Sequence, residues 1–247
     1  MIEYLLVLPA MVKSNTFNTE LKTKMLNKIS ALEVKGTFDR FATQFDSWFR
    51  KNRKIFLSEM NAVMLSKPEG VTLDVGVGSG VFSSNLPVEL GVDLSISLLK
   101  LSRDRGLQVV QADASNLPLR NSSFDSVVST FTICFVENLA SMLGEAKRVL
   151  RKGGKLVVGE ITADSSWGRK YSEEGKRGHR FYSKARFFTF RDTVKFLRSS
   201  GFEPKHVFGT ISYSPEDRPR IERAYRLGIK DKRIKNFSFL VVVSFAK

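Results

Sequence analysis

The residues best suited to ligand chemistry lie in the segment LDVGVGSGVF, residues 73–82, where glycines occupy positions 76, 78 and 80. Glycines that follow an apolar strand let the backbone turn sharply and let a ligand approach the main chain closely. Val81 stands where the dinucleotide-binding pattern G-x-G-x-x-G has its third glycine. Asp74 precedes the loop, and a carboxylate there repels a pyrophosphate but suits a cationic or amino-bearing ligand. The loop therefore predicts a ligand of the second kind.

Two further acidic residues follow later strands of the same region. Asp93 closes the predicted second strand, where a carboxylate can accept hydrogen bonds from both hydroxyls of a ribose. Asp113 lies just beyond the predicted third strand, where a carboxylate can accept from the exocyclic amine of adenine. Each acid alone is compatible with an ordinary surface loop. Together with Asp74 they predict a nucleoside site, because open α/β sheets bind ligands at the carboxyl ends of their strands.

Strands and helices alternate through the middle of the chain, which predicts βαβ units and a parallel sheet. The predicted strands cover residues 71–75, 90–92, 107–111, 124–131, 155–161, 202–209 and 237–245. The predicted helices cover residues 81–86, 96–105, 139–150 and 191–200. Gly153 and Gly154 are predicted to turn the chain before the fifth strand, and Gly201 to end the last helix.

Three other regions complete the organisation. Residues 14–67 carry apolar side chains at helical spacing, with a predicted break at Gly36. Residues 164–186 hold three glycines among many charges and are predicted to form an irregular basic insertion. The basic segment 215–236 is predicted to be a helix with flexible flanks. We therefore expect an N-terminal helical extension, residues 1–67, and an α/β domain, residues 68–247.

The composition of the 247 residues excludes several classes of protein. One cysteine and two histidines exclude a disulfide framework and a thiolate-rich metal site, so no metal is expected. No apolar run approaches the ~20 residues that a membrane-spanning helix needs, and we expect a cytoplasmic protein without a membrane span. The net charge is +15, and residues 165–247 hold 20 Lys+Arg against 8 Asp+Glu, a difference of 20 − 8 = +12. That local excess makes RNA or another anionic partner an alternative to an ordinary solvated surface.

The motif series resembles the class I S-adenosylmethionine-dependent methyltransferases, in particular the branch of the ubiquinone/menaquinone-type small-molecule enzymes. The resemblance covers about residues 36–210 and rests on LDVGVGSG, GVDLS, ADASNLPL, FDSVVSTFTICFVEN and LRKGGKLVVGE. It implies a Rossmann-like, seven-stranded, mostly parallel sheet with an antiparallel terminal strand and an N-terminal helical lid. It also implies S-adenosylmethionine as cofactor and S-adenosylhomocysteine as product.

The resemblance assigns roles to residues of this sequence. Those implied to bind the cofactor are Asp74, Gly76, Gly78, Gly80, Asp93, Leu94, Asp113, Ala114, Thr130 and Phe131. The candidates for a substrate pocket are Phe41, Trp48, Arg53, Cys134, Phe135, Tyr171, Phe181 and Tyr182. Core packing is the alternative for the aromatic residues, and a buried, inert thiol is the alternative to a nucleophilic Cys134. No residue is assigned as a catalytic base, since a lone histidine such as His179 is more often a solvated loop residue than a base.

The expected reaction is an in-line displacement at an activated methyl group, which depends mainly on proximity and orientation. FTICFVEN follows the fourth strand where amino-group and nucleic-acid-base methyltransferases carry a sequence similar to Asn-Pro-Pro-Tyr. The apolar character of that loop favours a small-molecule acceptor. RNA or protein methylation by means of the basic C-terminal third is the alternative, and a non-catalytic regulator that binds the cofactor is the third hypothesis.

Overall fold

The structure is a computed structural model that describes residues 19–247 and contains a sheet of eight strands in the order β3-β2-β1-β4-β5-β8-β6-β7. The strands are β1 (Thr72–Val75), β2 (Leu90–Asp93), β3 (Val109–Gln111), β4 (Phe124–Thr130), β5 (Leu150–Ile161), β6 (Phe202–Thr210), β7 (Tyr225–Leu227) and β8 (Phe239–Ala246). β1 to β5 pair in parallel, whereas β8 runs antiparallel to β5 and β6, and β7 runs antiparallel to β6. The predicted parallel sheet with an antiparallel terminal strand is thereby confirmed.

Helices cover both faces of this sheet. They are α1 (Thr19–Lys51), α2 (Arg53–Leu65), α3 (Ile96–Asp104), α4 (Leu139–Val149), α5 (Ser166–Lys176) and α6 (Phe190–Ser199). Successive strand residues point to opposite faces. Val127 accordingly packs in one core cluster with residues of α4 and α6, and Val128 in another with residues of α1, α2 and α5.

The short strand β7 lies within residues 215–236, where a helix was predicted. Pro215 and Pro219 interrupt any helix at the start of this segment, since proline lacks the N–H that a helix interior requires. Leu227 is buried and pairs with Val207 of β6, so β7 extends the sheet by a short edge strand. The only helical turn there is a 3-10 helix, Lys232–Asn236.

Two predictions about helices in the first 90 residues are also wrong. α1 continues through Gly36, where no atom lies near the position of a Cβ, and departs from helical geometry only at Phe41 (φ −119°, ψ 23°). One glycine costs a helix only about 1 kcal/mol, so tertiary packing of α1 outweighs it. The helix predicted over residues 81–86 is a single 3-10 turn, Ser83–Asn85. The first 18 residues of the predicted extension lie outside the described part of the chain.

Two predictions fail between residues 150 and 186. β5 begins at Leu150 and continues through Gly153 and Gly154, with an irregular register opposite β4, where a turn was predicted. Residues 164–186 contain the regular helix α5, because the Ser165 hydroxyl accepts a hydrogen bond from the backbone N–H of Gly168 (3.0 Å) and caps the first turn. Within residues 19–247 no helix is long and apolar enough to cross a membrane.

Candidate functional site

The glycine loop connects β1 to the 3-10 turn, and its three glycines have positive φ angles: 81° at Gly76, 55° at Gly78 and 77° at Gly80. A Cβ on Gly76 would lie 2.1 Å from Thr132 Oγ1, and one on Gly80 would lie 2.5 Å from Leu107 Cδ1. The nearest atom to a Cβ on Gly78 is Phe45 Cε1 at 3.8 Å. Gly76 and Gly80 are therefore required by close packing, while Gly78 keeps open space above the loop for a ligand.

Hydrogen bonds from main-chain N–H groups fix the loop against β2. Gly76 N and Val77 N donate to the carbonyl of Val92 at 2.7 and 3.0 Å. Asp93 Oδ2 accepts from Gly78 N at 2.9 Å, and Asp93 Oδ1 accepts from Ser95 N at 2.8 Å. Burial raises the pKa of Asp93, and these backbone hydrogen bonds oppose the rise. The Asp93 carboxylate is thus held rigidly at the end of β2.

Asp74 lies behind the loop, buried at the end of β1. The Ser83 hydroxyl donates to Oδ2, and Oδ1 has no hydrogen-bond partner. Burial raises the pKa of Asp74 to about 7; the Ser83 hydrogen bond opposes this rise and the nearby Asp93 adds to it. A buried acceptor without a donor is unfavourable by itself.

The end of β4 forms the opposite wall. Thr130 is buried, and its Oγ1 has no hydrogen-bond partner. Phe131 follows with φ 58°, a conformation that costs a non-glycine residue about 1–2 kcal/mol. Strain of this kind is found mostly at ligand sites, where the surrounding structure enforces it. The Phe131 ring packs between those of Phe82 and Phe239, at centroid distances of 5.8 and 5.1 Å.

These parts surround one cavity of about 520 Å³ at the carboxyl ends of β1, β2 and β4. The predicted cofactor residues that line it are Gly76, Gly78, Asp93, Leu94, Asp113, Ala114, Thr130 and Phe131. Asp74 and Gly80 support the loop from behind without lining the cavity. Asp113 Oδ1 accepts from Ser115 N at 2.8 Å, which closes a tight turn beside the cavity. The structure thus brings together residues 74–135, as the spacing of the motifs predicts.

Helix α1 covers this cavity with aromatic side chains. Phe38, Phe45 and Phe49 line the cavity, whereas Phe41 and Trp48 of the same helix do not. Both sets recur at helical spacing in the sequence, so only the rotation of the packed helix decides which of them faces the ligand. The sequence analysis names Phe41 and Trp48 as pocket residues and assigns no role to Phe38, Phe45 or Phe49, which form the cover of the cavity.

Two groups of polar contacts hold α1 over the glycine loop and the start of α3. Asp39 Oδ1 accepts from Ser95 Oγ at 2.7 Å and from Ser97 N at 3.1 Å, at the start of α3. Arg105 donates to the carbonyl of Ser79 at 2.7 Å and pairs with the buried Asp46 of α1 at 2.7 Å. The lid helix is therefore connected to the glycine loop through Arg105, and directly to Ser95, whose backbone N–H donates to Asp93.

Of the eight predicted substrate-pocket residues, only Phe135 lines the cavity. The others lie outside that lining. Arg53 is exposed at the start of α2. Phe181 stacks on Phe38 at 5.3 Å, and Tyr171 stacks on Tyr182 at 4.3 Å. Burial raises the pKa of the Cys134 thiol to about 12, which makes it a poor nucleophile.

Comparisons with known proteins agree with this geometry. A family model described as a methyltransferase domain matches residues 73–158. An uncharacterized protein of Methanocaldococcus jannaschii is 37% identical over 176 residues, which are 71% of this chain and 85% of that protein. A malonyl-acyl-carrier-protein O-methyltransferase of Geobacter sulfurreducens is 28% identical over 81% of this chain and 82% of its own length.

A solved methyltransferase structure is similar to this chain in both sequence and fold. The crystal structure of a SAM-dependent methyltransferase of Thermotoga maritima, described as a possible histamine N-methyltransferase, is 34% identical to this chain. The match covers 87% of this chain and 100% of that chain, with a TM-score of 0.80. A glycine loop and acidic strand ends on a parallel sheet with an antiparallel terminal strand define a class I methyltransferase fold. The chain belongs to the S-adenosylmethionine-dependent methyltransferases.

The residues present fit this cofactor. The open space above Gly78 admits a ligand against the main chain, and Thr130 Oγ1 is a buried polar atom without a partner in the opposite wall of the cavity. Asp93 and Asp113 stand at neighbouring strand ends, in the order in which the ribose and adenine of the cofactor require acceptors. Within residues 19–247 no group of three or more metal-ligating side chains is arranged around a metal position.

Proposed function

We propose that the protein transfers the methyl group of S-adenosylmethionine to a small-molecule acceptor. The observation that supports this most directly is the aromatic cover of the cavity, which α1 provides with the rings of Phe38, Phe45 and Phe49. A mainly apolar cavity of about 520 Å³ that one helix partly covers suits a small ligand beside the cofactor better than a segment of a polymer.

The proposed division of roles follows the order of the strands. Gly76 and Gly78 present the main chain to the cofactor, Asp93 accepts hydrogen bonds from its ribose, and Asp113 with Ala114 meets its adenine. When bound, the cofactor supplies an electrophilic methyl group on a sulfonium. Thr130 and Phe131 are proposed to face that group from the end of β4.

The chain's contribution to the reaction is then mainly positioning and exclusion of water. The titratable side chains that line the cavity are Lys35, Asp93, Asp113 and Glu137, none of which belongs to the wall formed by Thr130, Phe131 and Phe135. Placing the two reacting atoms in line is sufficient for a large rate acceleration when the acceptor carries a free electron pair. We therefore propose no general base among the cavity residues.

Two of the similar proteins with printed activities support a small acceptor group. One is described as a possible histamine N-methyltransferase, and the other acts on a malonyl group carried by a protein. The RNA hypothesis receives no specific support, because the basic segment 215–236 contributes no residue to the cavity and contains β7, at the opposite edge of the sheet from β3. Several of its cations already have partners, such as Arg220 with Glu222 at 2.8 Å.

The test is a transfer assay with methyl-labelled S-adenosylmethionine and separate pools of small amines, phenols, carboxylic acids, total RNA and proteins. We expect incorporation into a small-molecule pool by the wild-type protein. Asp93→Ala should weaken cofactor binding, measured by calorimetry, by roughly a hundredfold, since it removes the ribose acceptor and leaves two backbone donors unpaired. Incorporation into RNA or protein alone would refute the proposal.

A further inference from the structure

Six phenylalanine rings that line the cavity form one connected series, which we call the phenylalanine arc: Phe131, Phe82, Phe49, Phe45, Phe38 and Phe135. The centroids of successive rings in this order lie 5.8, 5.7, 5.4, 5.2 and 5.0 Å apart. Four of the five contacts are edge-to-face, an arrangement that stabilises aromatic pairs beyond their burial. The arc is therefore a continuous apolar surface that begins and ends in the loop after β4.

The arc adjoins the place where the methyl group of the cofactor is proposed to lie. Phe131 follows Thr130 in the wall at the end of β4. Phe45 is the ring nearest to the open space above Gly78, since its Cε1 lies 3.8 Å from the position of a Cβ on that glycine. The arc thus runs from the end of β4 past the glycine loop to the cover, and an acceptor that approaches the methyl group must contact it.

The arc offers an acceptor neither a charge nor a base. Its side chains carry no polar atom. The polar side chains beside it, in the wall of β4 and in the glycine loop, are the hydroxyl groups of Thr130, Thr132 and Ser79. A hydroxyl group forms hydrogen bonds but does not take up a proton at neutral pH.

The four ionisable side chains of the cavity lining each have a partner elsewhere. Lys35 Nζ pairs with Asp39 Oδ2 at 2.5 Å, and Glu137 Oε2 accepts from a serine hydroxyl of α1 at 2.9 Å. Asp93 and Asp113 accept from main-chain N–H groups and are the proposed partners of the ribose and adenine. Within the described residues 19–247, the lining therefore places no ionisable group among the six rings.

This surface disfavours most classes of acceptor. A charged acceptor would lose its hydration beside the rings without gaining a counter-charge. A phenol, a thiol or a protonated amine must give up a proton before or during methylation, which requires a base. A pyridine-type nitrogen or a thioether sulfur is neutral at pH 7, presents a free electron pair and has no proton to lose. These two nucleophiles suit the arc because they need neither a counter-charge nor a base.

We propose that the phenylalanine arc is the acceptor subsite for a neutral aromatic molecule whose nucleophile is a pyridine-type nitrogen or a thioether sulfur. This inference rests on the proposed small-molecule function and specifies its substrate class. The electron pair of the acceptor atom forms the new bond to the methyl carbon, while the bond from that carbon to the donor sulfur breaks and leaves its electron pair on this sulfur. The positive charge passes to the acceptor and no proton is released. Aromatic rings around the acceptor attract that charge as it develops.

The first test compares methyl transfer from labelled S-adenosylmethionine to four bicyclic probes of similar size. Isoquinoline carries a pyridine-type nitrogen, 2-(methylthio)naphthalene a thioether, 2-naphthol an acidic proton, and 2-naphthylmethylamine an ammonium group at neutral pH. We expect isoquinoline or the thioether to react with a kcat/KM roughly a hundredfold above those of the other two, about what general-base assistance contributes where a base is present. The better of the two neutral probes identifies the nucleophile. Preference for 2-naphthol or the amine, or transfer to none of the probes, overturns the proposal.

The second test measures isoquinoline binding by calorimetry in the presence of S-adenosylhomocysteine. Phe135→Leu keeps an apolar side chain but removes a ring that is half-buried and contacts one other ring of the arc, so the variant should fold. We expect roughly three- to tenfold weaker isoquinoline binding, as the loss of one aromatic contact predicts, and unchanged affinity for S-adenosylhomocysteine. Phe41→Leu is the matched control, because Phe41 lies on α1 outside the cavity lining, and it should leave both affinities unchanged.

Equal isoquinoline affinity of wild type and Phe135→Leu, or no isoquinoline binding to wild type, overturns the arc as an acceptor subsite. In that case incorporation of the labelled methyl group into another small-molecule pool would still support the proposed function. Incorporation into RNA or protein alone would reject the proposed function itself, so the two failures are distinguishable.

Discussion

The glycine-loop side of the cavity, which we call the cofactor side, and the aromatic cover over it are built in different ways. The cofactor side lies within residues 74–135 and is organised by main-chain hydrogen bonds, such as those that Asp93 accepts from Gly78 N and Ser95 N. The cover consists of side chains of one helix, Phe38, Phe45 and Phe49 of α1. Outside both regions, the buried carboxyl groups of Glu59 and Glu160 each keep an oxygen without a partner.

This difference indicates which part of the site must stay rigid and which part can vary in sequence. Backbone groups bound to neighbouring strands cannot be varied without loss of the fold, which suits a ligand that is the same in every member of a family. Side chains from distant segments can be exchanged one at a time, which suits an acceptor that differs among members. Substitutions in the two regions should therefore differ in their effects on cofactor affinity and on the free energy of unfolding.

The largest effect should come from Gly76→Ala on the cofactor side. Its new Cβ would lie 2.1 Å from Thr132 Oγ1 at a φ of 81°, so the loop must move. We expect calorimetry to show at least a hundredfold loss of S-adenosylmethionine affinity, roughly 3 kcal/mol. Gly106→Ala is the control, since Gly106 has a φ of 84° and no atom within 4 Å of the new Cβ.

The control variant should lose only about 1–2 kcal/mol of stability to backbone strain and bind the cofactor normally. Equal cofactor affinities of the two variants would mean that close packing of the loop does not define the cofactor side.

Glu160→Gln should change how the stability of the protein depends on pH, because Glu160 is a buried carboxyl group of β5 with one oxygen that lacks a partner. Burial raises the pKa of Glu160 to about 8, partly opposed by the hydrogen bond from Thr193 Oγ1 at 2.9 Å. Because the folded pKa exceeds that of the unfolded chain, the wild type loses stability as pH rises from about 4.5 toward 8. The variant lacks this loss, so its advantage in the free energy of unfolding should grow by roughly 1 kcal/mol per pH unit in that range.

Denaturant unfolding at pH 4, 6 and 8 measures this difference. Glu203→Gln is a control for which the expected pH dependence has the opposite sign. The hydrogen bond from Lys247 lowers the pKa of Glu203, so the charged form of this side chain favours the folded protein, and the variant should not gain free energy of unfolding at high pH. If the difference in the free energy of unfolding between wild type and Glu160→Gln does not depend on pH, the pKa of Glu160 is not raised by burial.

Asp39→Ala should give the smallest effect, at the junction of the lid with the cofactor side. It removes the hydrogen bonds from Ser95 Oγ and Ser97 N, each worth about 0.5–1.5 kcal/mol. We expect a three- to tenfold weaker cofactor affinity, roughly 1 kcal/mol, together with a lower Tm. Glu33→Ala, which breaks an exposed ion pair of α1 with Lys184, should change neither by a measurable amount. Identical behaviour of these two variants would separate the lid from cofactor binding.

The sequence by itself determined the cofactor side. Asp74, Gly76, Asp93 and Asp113 are close to strand ends in the chain, and parallel strands must bring such ends to one edge of the sheet. The parallel sheet was predicted from the alternation of strands and helices, and the family and the antiparallel terminal strand from the resemblance of the motif series; all three are confirmed. The helix 139–150, which the structure places at Leu139–Val149, was also predicted, because its hydrophobic period is local.

The tertiary structure alone decided the aromatic cover and the sheet edge. The rotation of α1 selected Phe38, Phe45 and Phe49 over Phe41 and Trp48, although both sets have helical spacing. β7 formed because β6 offered an unpaired edge, a partner that no local pattern in residues 215–236 reveals. Contacts of this kind depend on how elements pack together, and a periodicity read along the chain contains no information about that packing.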